Sequence, residues 1–202
     1  MHNGAQALQE STLVAALGQR SVVLVGMMGA GKSSIGRRLA SRLVIPFVDA
    51  DTEIEKAAGM SIAEIFATQG EPYFRAGETR VIARLLESGP QVLSTGGGAF
   101  MNPETRAAIH IKGVSVWLRA TVEVLMRRIK RRGDRPLLKG GDPAETLKRL
   151  IAERYPTYAE ADFTVESRDV AHDAIVEEIV AGLCGQARLA DAAKAQPAEG
   201  AS

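Results

Sequence analysis

With a single cysteine, Cys184, in 202 residues, the chain cannot close an internal disulfide, which suits a reducing cytosol. Histidine is scarce too: His2, His110 and His172 are scattered, without metal-ligand spacing. Neither sign of charge dominates, since 25 Lys and Arg face 24 Asp and Glu. The net +1 argues against a nucleic-acid or membrane-surface role. No apolar run approaches the ~18 residues needed to span a bilayer. The first residues lack a basic n-region, and the apolar run Leu13–Leu17 is short. Residues 1–20 are therefore expected to form a non-targeting N-terminal extension with room for a helical turn.

What is present is ordinary for a globular chain, with 46% hydrophobic and 24% charged residues. The length fits one domain with a full core, expected over 21–186. Residues 187–202, rich in Ala, Gln, Asp and Glu with Pro197 and Gly200, read as a disordered tail.

The most informative stretch is Gly26-Met27-Met28-Gly29-Ala30-Gly31-Lys32-Ser33, which fits the phosphate-binding loop pattern G-x-x-x-x-G-K-[ST]. Before it lies Ser21–Val25, apolar and Val-rich, a buried parallel strand. After it, Ile35, Leu39 and Leu43 share one helical face. Glycines let the backbone turn its N–H groups inward around a phosphate, and the helix adds the positive end of its dipole. In that setting Lys32 bridges the outer phosphates and the Ser33 hydroxyl ligates a magnesium ion.

Strands at Pro46–Asp49, Gln91–Ser94, Val114–Leu118 and Phe163–Val165 alternate with helical segments. Ser61 with Glu64, Asn102-Pro103, Thr121 and Asp142-Pro143-Ala144-Glu145 mark helix starts. Residues 133–141, with three glycines and Pro136, predict a mobile loop. The alternation predicts a three-layer α/β fold with a parallel sheet covered on both faces. Ligands in such sheets bind beyond the carboxyl ends of the strands, which brings the phosphate loop, Asp49, Asp51 and Gly96–Gly98 to one crevice.

Other families that use this loop leave marks that are missing here. There is no N-K-x-D or D-x-x-G of a GTPase and no L-S-G-G-Q of a transporter ATPase. The third strand runs into glycines rather than an acid, so the acid near the metal comes from the second strand, at Asp49. That pattern points to a small-molecule kinase. The basic run Arg127–Arg132 lacks the interleaved aromatics of a nucleic-acid site and fits a lid over polyphosphate better. Taken singly, several residues keep a second reading. Asp49 and Asp51 suit a helix cap, Arg75 and Glu78 an i,i+3 pair, Gly96–Gly98 a flexible turn, and Arg154 a solvated helix face.

Together, six motifs resemble the shikimate kinase family. They are the loop at 26–34, Phe47-Val48-Asp49-Ala50-Asp51, Phe74-Arg75-x-x-Glu78, Gly96-Gly97-Gly98, Arg135-Pro136-Leu137-Leu138 and Arg154-x-x-x-Tyr158. The resemblance covers about Val22 to Gly182 and implies a P-loop kinase with five parallel strands in the order 2-3-1-4-5. It implies transfer of the ATP γ-phosphate to the 3-hydroxyl of shikimate by a cytoplasmic monomer, with neither nucleic acid nor membrane as partner. Carried over by position, Lys32, Asp51 and Arg135 are the catalytic residues, and Ser33 and Asp49 hold Mg²⁺. ATP meets Gly29, Ala30, Gly31, Lys32, Ser33, Ser34, Arg128, Arg135 and Arg168, while shikimate meets Asp51, Arg75, Gly97, Gly98 and Arg154. Ser34 stands where the family often has threonine. Two rivals remain open from sequence: a gluconate-type kinase, and a nucleotide-binding regulatory protein without catalysis.

Overall fold

The computed structural model describes residues 2–132 and 142–195. The expected mobile loop at 133–141, with Arg135, lies outside the described residues.

Five parallel strands build the sheet: β1 (Ser21–Val25), β2 (Phe47–Asp49), β3 (Val92–Ser94), β4 (Gly113–Arg119) and β5 (Phe163–Glu166). Their order is β2-β3-β1-β4-β5, the one the resemblance implies. The three central strands are buried almost throughout, while edge strands β2 and β5 are mostly half-buried. That contrast follows from position, because a strand flanked by strands and covered on both faces must be apolar all round.

Helices follow the strands in alternation. α2 (Lys32–Leu43) runs from the phosphate loop and buries Ile35, Leu39 and Leu43, the face read from their spacing. Gly36 lets this helix lie close to the sheet, since a Cβ there would sit 2.7 Å from the Phe47 ring. After β2 come α3 (Ala50–Ala58), α4 (Ile62–Thr68) and α5 (Gly70–Leu86), which share a small core of Ile54, Ile65 and Phe74. Ser61 and Glu64 form the expected capping box. α5 begins at Gly70, with Pro72 in its first turn.

A short 3₁₀ turn, Ala99–Met101, follows the glycine run and leads into α6 (Pro103–Lys112), capped by Asn102. α7 (Val122–Arg132) follows β4, and α8 (Pro143–Tyr158) starts on the Asp142 cap. α9 (His172–Ala195) closes the fold and runs past Ala187, where the sequence predicts a tail. Its backbone is helical to Ala195, and residues 196–202 lie outside the described residues.

The chain start also differs from expectation. α1 (His2–Leu17) is a full helix rather than one turn. Leu13 and Leu17, one turn apart, are buried in the main core, and Glu10 pairs with Arg42 of α2 at 2.6 Å. Tertiary contact supplies what local propensity did not signal. Among the described residues no helix is long and apolar enough to cross a membrane.

One backbone position is strained. Val44, the C-cap of α2, adopts φ 54° and ψ 41° and is 90% exposed. A β-branched residue in the left-handed region is unfavourable, whereas Asn tolerates it. Val44→Asn is therefore expected to stabilise the protein by about 0.5–1 kcal/mol, read as a higher urea midpoint at unchanged m-value. A midpoint that stays or falls would count against strain at this turn.

Candidate active site

The phosphate loop sits between the carboxyl end of β1 and the first turn of α2. Gly26 has φ 134°, and a Cβ there would lie 2.7 Å from the Leu118 carbonyl oxygen. Gly29 and Gly31 also hold positive φ, 81° and 92°, so the turn requires glycine at all three. No side chain caps α2, and its first turn faces a cleft lined by Gly31, Lys32, Ser33 and Ser34. An uncapped helix start beside inward-turned backbone favours an anion. The buried Lys32 ammonium donates to Gly26 O at 2.8 Å and Met27 O at 3.0 Å.

Across the cleft, the Ser33 hydroxyl donates to Asp49 Oδ2 at 2.7 Å, with Ser94 Oγ 3.4 Å away. Asp49 Oδ1 meanwhile accepts from the Asp51 N–H at 3.2 Å and so caps α3. The two readings of Asp49 thus coexist, one on each oxygen. A hydroxyl and a carboxylate are hard oxygen donors, and so few of them suit Mg²⁺, which keeps waters and phosphate oxygens as its other ligands. Among the described residues no group of three or more His, Cys, Asp or Glu would hold a metal by itself.

The glycine run after β3 forms the other wall. Gly96 and Gly97 line the same cleft as Lys32 and Asp51. A Cβ at Gly96 would lie 2.9 Å from Asp51 Oδ1 and 2.8 Å from Glu78 Oε1. At Gly98 it would lie 2.5 Å from Arg75 Nη1. Arg154 donates to Gly97 O at 3.3 Å, and the buried Tyr158 hydroxyl donates to the same oxygen. Asp51, Arg75, Gly97, Gly98 and Arg154 therefore meet around one backbone turn, although up to about a hundred residues separate them in the chain.

The nucleotide-side arginines are placed differently. Arg128 approaches the loop from its outer side, with Nη1 3.4 Å from Gly29 O and 3.3 Å from Ala30 O. The Arg168 side chain turns to Glu178, while its carbonyl accepts from Arg128 Nη2 at 2.7 Å. The structure thus brings the Arg168 backbone, not its guanidinium, towards the phosphate loop.

A family model described as shikimate kinase matches residues 28–184. The shikimate kinase of Rhodopseudomonas palustris is 66% identical over 175 residues, covering 87% of this chain and 86% of that protein. That of Caulobacter vibrioides is 58% identical over 170 residues, covering 84% and 85%. Among solved structures, the shikimate kinase from Acinetobacter baumannii in complex with shikimate superposes with TM-score 0.79 at 37% identity, covering 83% of this chain and 94% of that one. A gluconokinase from Sinorhizobium meliloti, with TM-score 0.55 at 20% identity over 85% of this chain and 95% of its own, shares the fold alone.

Three residues without a role in the site on sequence grounds are brought into it by the geometry. Tyr158 lies one turn beyond Arg154, a spacing that could have placed both on one face. Ser94 ends β3 where an acid was sought. Glu78 was visible only as a helix partner of Arg75, yet it is 2% exposed and its Oε2 accepts from Arg75 Nη1 at 2.7 Å. Its other oxygen has no hydrogen-bond partner among the described residues. Burial pushes the Glu78 carboxyl above the usual range, against the downward pull of Arg75, and Asp51 and Glu71 add to the rise.

The folded Glu78 carboxyl keeps its proton to higher pH than the unfolded one, so its contribution to stability is full below the ordinary carboxylate pKa. That contribution is lost as pH rises through the raised value. Glu78→Gln cannot ionise, so urea midpoints from about pH 4 to about pH 8 are expected to show the variant gaining on the parent as pH increases. Parallel profiles would contradict the shift.

Proposed function

The chain belongs to the shikimate kinase family, ATP-dependent kinases of shikimate, and we propose that it transfers the γ-phosphate to the 3-hydroxyl at this one cleft. The products are shikimate 3-phosphate and ADP. The observation that carries the assignment of residues is the meeting of Asp51 and Lys32 in one cleft with the glycine turn against which Arg75 and Arg154 lie.

The phosphate loop N–H groups and Lys32 hold the polyphosphate, with Ser33 and Ser34 at the helix start. Ser33 and Asp49 would hold Mg²⁺, and the ion would neutralise charge on the phosphate oxygens. Arg128 stacks on the adenine, Arg168 contributes through its backbone from the loop after β5, and Arg135 supplies a further cation to the phosphates. Exclusion of water there keeps it from competing as phosphoryl acceptor.

Shikimate offers one carboxylate and three hydroxyls. Arg75 and Arg154 take the carboxylate, because guanidinium pairs with it through parallel hydrogen bonds. Gly97 and Gly98 let the backbone approach the ring, and Asp51 accepts from the attacking hydroxyl. Early deprotonation is excluded on energy: an alcohol is a far weaker acid than a carboxylic acid, so handing its proton to Asp51 ahead of phosphoryl transfer is strongly uphill. Asp51 therefore orients the nucleophile, and the proton leaves late, as a loose phosphoryl transition state allows. The near-neutral charge argues against nucleic-acid or membrane-surface partners, and the single cysteine suits a cytoplasmic protein; action as a monomer is what the family resemblance implies.

ADP release measured with shikimate and with gluconate as acceptors tests the reading, since turnover of gluconate but not shikimate would end it. Lys32→Ala is expected to lower kcat by ~10²–10³-fold, as for loss of a transition-state donor. Arg75→Ala is expected chiefly to raise the KM for shikimate, because a clamp distant from the reacting atoms binds ground and transition states alike. A rise in the KM for ATP instead would place Arg75 elsewhere.

A further inference from the structure

We infer that Ser167, in the loop between β5 and α9, is a positioning residue that sets the Ala30–Gly31 peptide of the phosphate loop and so aims the Gly31 N–H into the cleft. The inference rests on reading that cleft as the site for the ATP phosphates.

Ser167 is 2% exposed and far from the loop in sequence, yet its hydroxyl lies 2.7 Å from Ala30 O. The direction of this bond follows from the partners. Arg128 Nη1 lies 2.8 Å from Ser167 Oγ, and a guanidinium can only donate. The serine oxygen accepts from Arg128, and its one proton goes to the Ala30 carbonyl. Arg128 Nη1 adds a second, longer contact to the same carbonyl at 3.3 Å. Ser167 is itself held in place, because its N–H donates to Arg119 O at the end of β4.

In a trans peptide the C=O and N–H point in opposite directions. With the Ala30 oxygen drawn to Ser167, the Gly31 N–H points the other way. Ala30 is fully buried and Gly31 lines the cleft, which agrees with that polarity. This peptide needs an outside anchor, since Gly31 at φ 92° is free of the steric limits that would hold another residue's amide in one orientation. Preorganised donors bind an anion better than donors that must first be turned. Ser167 thus acts on the phosphates through the loop, without touching them.

Calorimetry of Ser167→Ala with two probes, ADP and inorganic tripolyphosphate, separates this role from an adenine contact. Both probes are expected to weaken by a similar factor, roughly tenfold or about 1.4 kcal/mol. In steady state the KM for ATP is expected to rise, with the KM for shikimate at saturating ATP unchanged. Weaker ADP with unaltered tripolyphosphate, or no change in either, would overturn the inference. So would equal loss for ATP and shikimate. If the alanine variant does not fold, Ser167→Cys, of similar size but a weak donor, carries the same expectations. Tripolyphosphate binding needs no acceptor, so a parent chain that fails to phosphorylate shikimate would sink the functional reading while leaving this result readable.

Discussion

A loop that turns its N–H groups towards an anion must find partners for the carbonyls it turns away. That constraint organises the phosphate side of this protein. The carbonyls of Gly26 and Met27 accept from Lys32, within the same motif. Those of Gly29 and Ala30 are met from outside, by Arg128 on α7, with Ser167 also on Ala30. Unpaired buried carbonyls would cost free energy comparable to a lost hydrogen bond, so the elements after β4 and β5 complete the loop's structure. Strand order makes this possible, because β4 lies beside β1 and β5 beside β4.

A second backbone turn does the same for the acceptor side. Gly96–Gly98 is crowded by side chains that would collide with any Cβ: Asp51 and Glu78 at Gly96, Arg75 at Gly98. The turn gathers charges of both signs without exposing them to one another unpaired. Arg75 is balanced by Glu78 and Glu71, and Arg154 rests on the Gly97 carbonyl beside Tyr158. A half-buried cation next to a buried carboxylate is costly to assemble, and removing Arg75 leaves the Glu78 carboxylate uncompensated.

Far from the cleft, Arg42 joins the two ends of the fold. It pairs with Glu10 on α1 and Glu177 on α9, and these acids hold its guanidinium above its ordinary range. With Leu13 and Leu17 buried in the same region, α1 is part of the main core rather than an appendage. Because Glu177 is well exposed, solvent screens that half of the arrangement, and the apolar burial contributes more.

What could be read from the chain alone was whatever neighbours in sequence decide. The phosphate loop, the alternation of strand and helix, the α2 core face and the caps at Ser61, Asn102 and Asp142 depend on residue types a few positions apart, whose backbone preferences act locally. Strand order came through resemblance, not periodicity. Tertiary structure decided the rest. It extended α1 and α9, divided Asp49 between a cap and Ser33, turned the Arg168 side chain away to Glu178, and set Ser167 behind Ala30. Each of those outcomes depends on groups distant in sequence meeting after the sheet has formed, and no local preference encodes such a meeting.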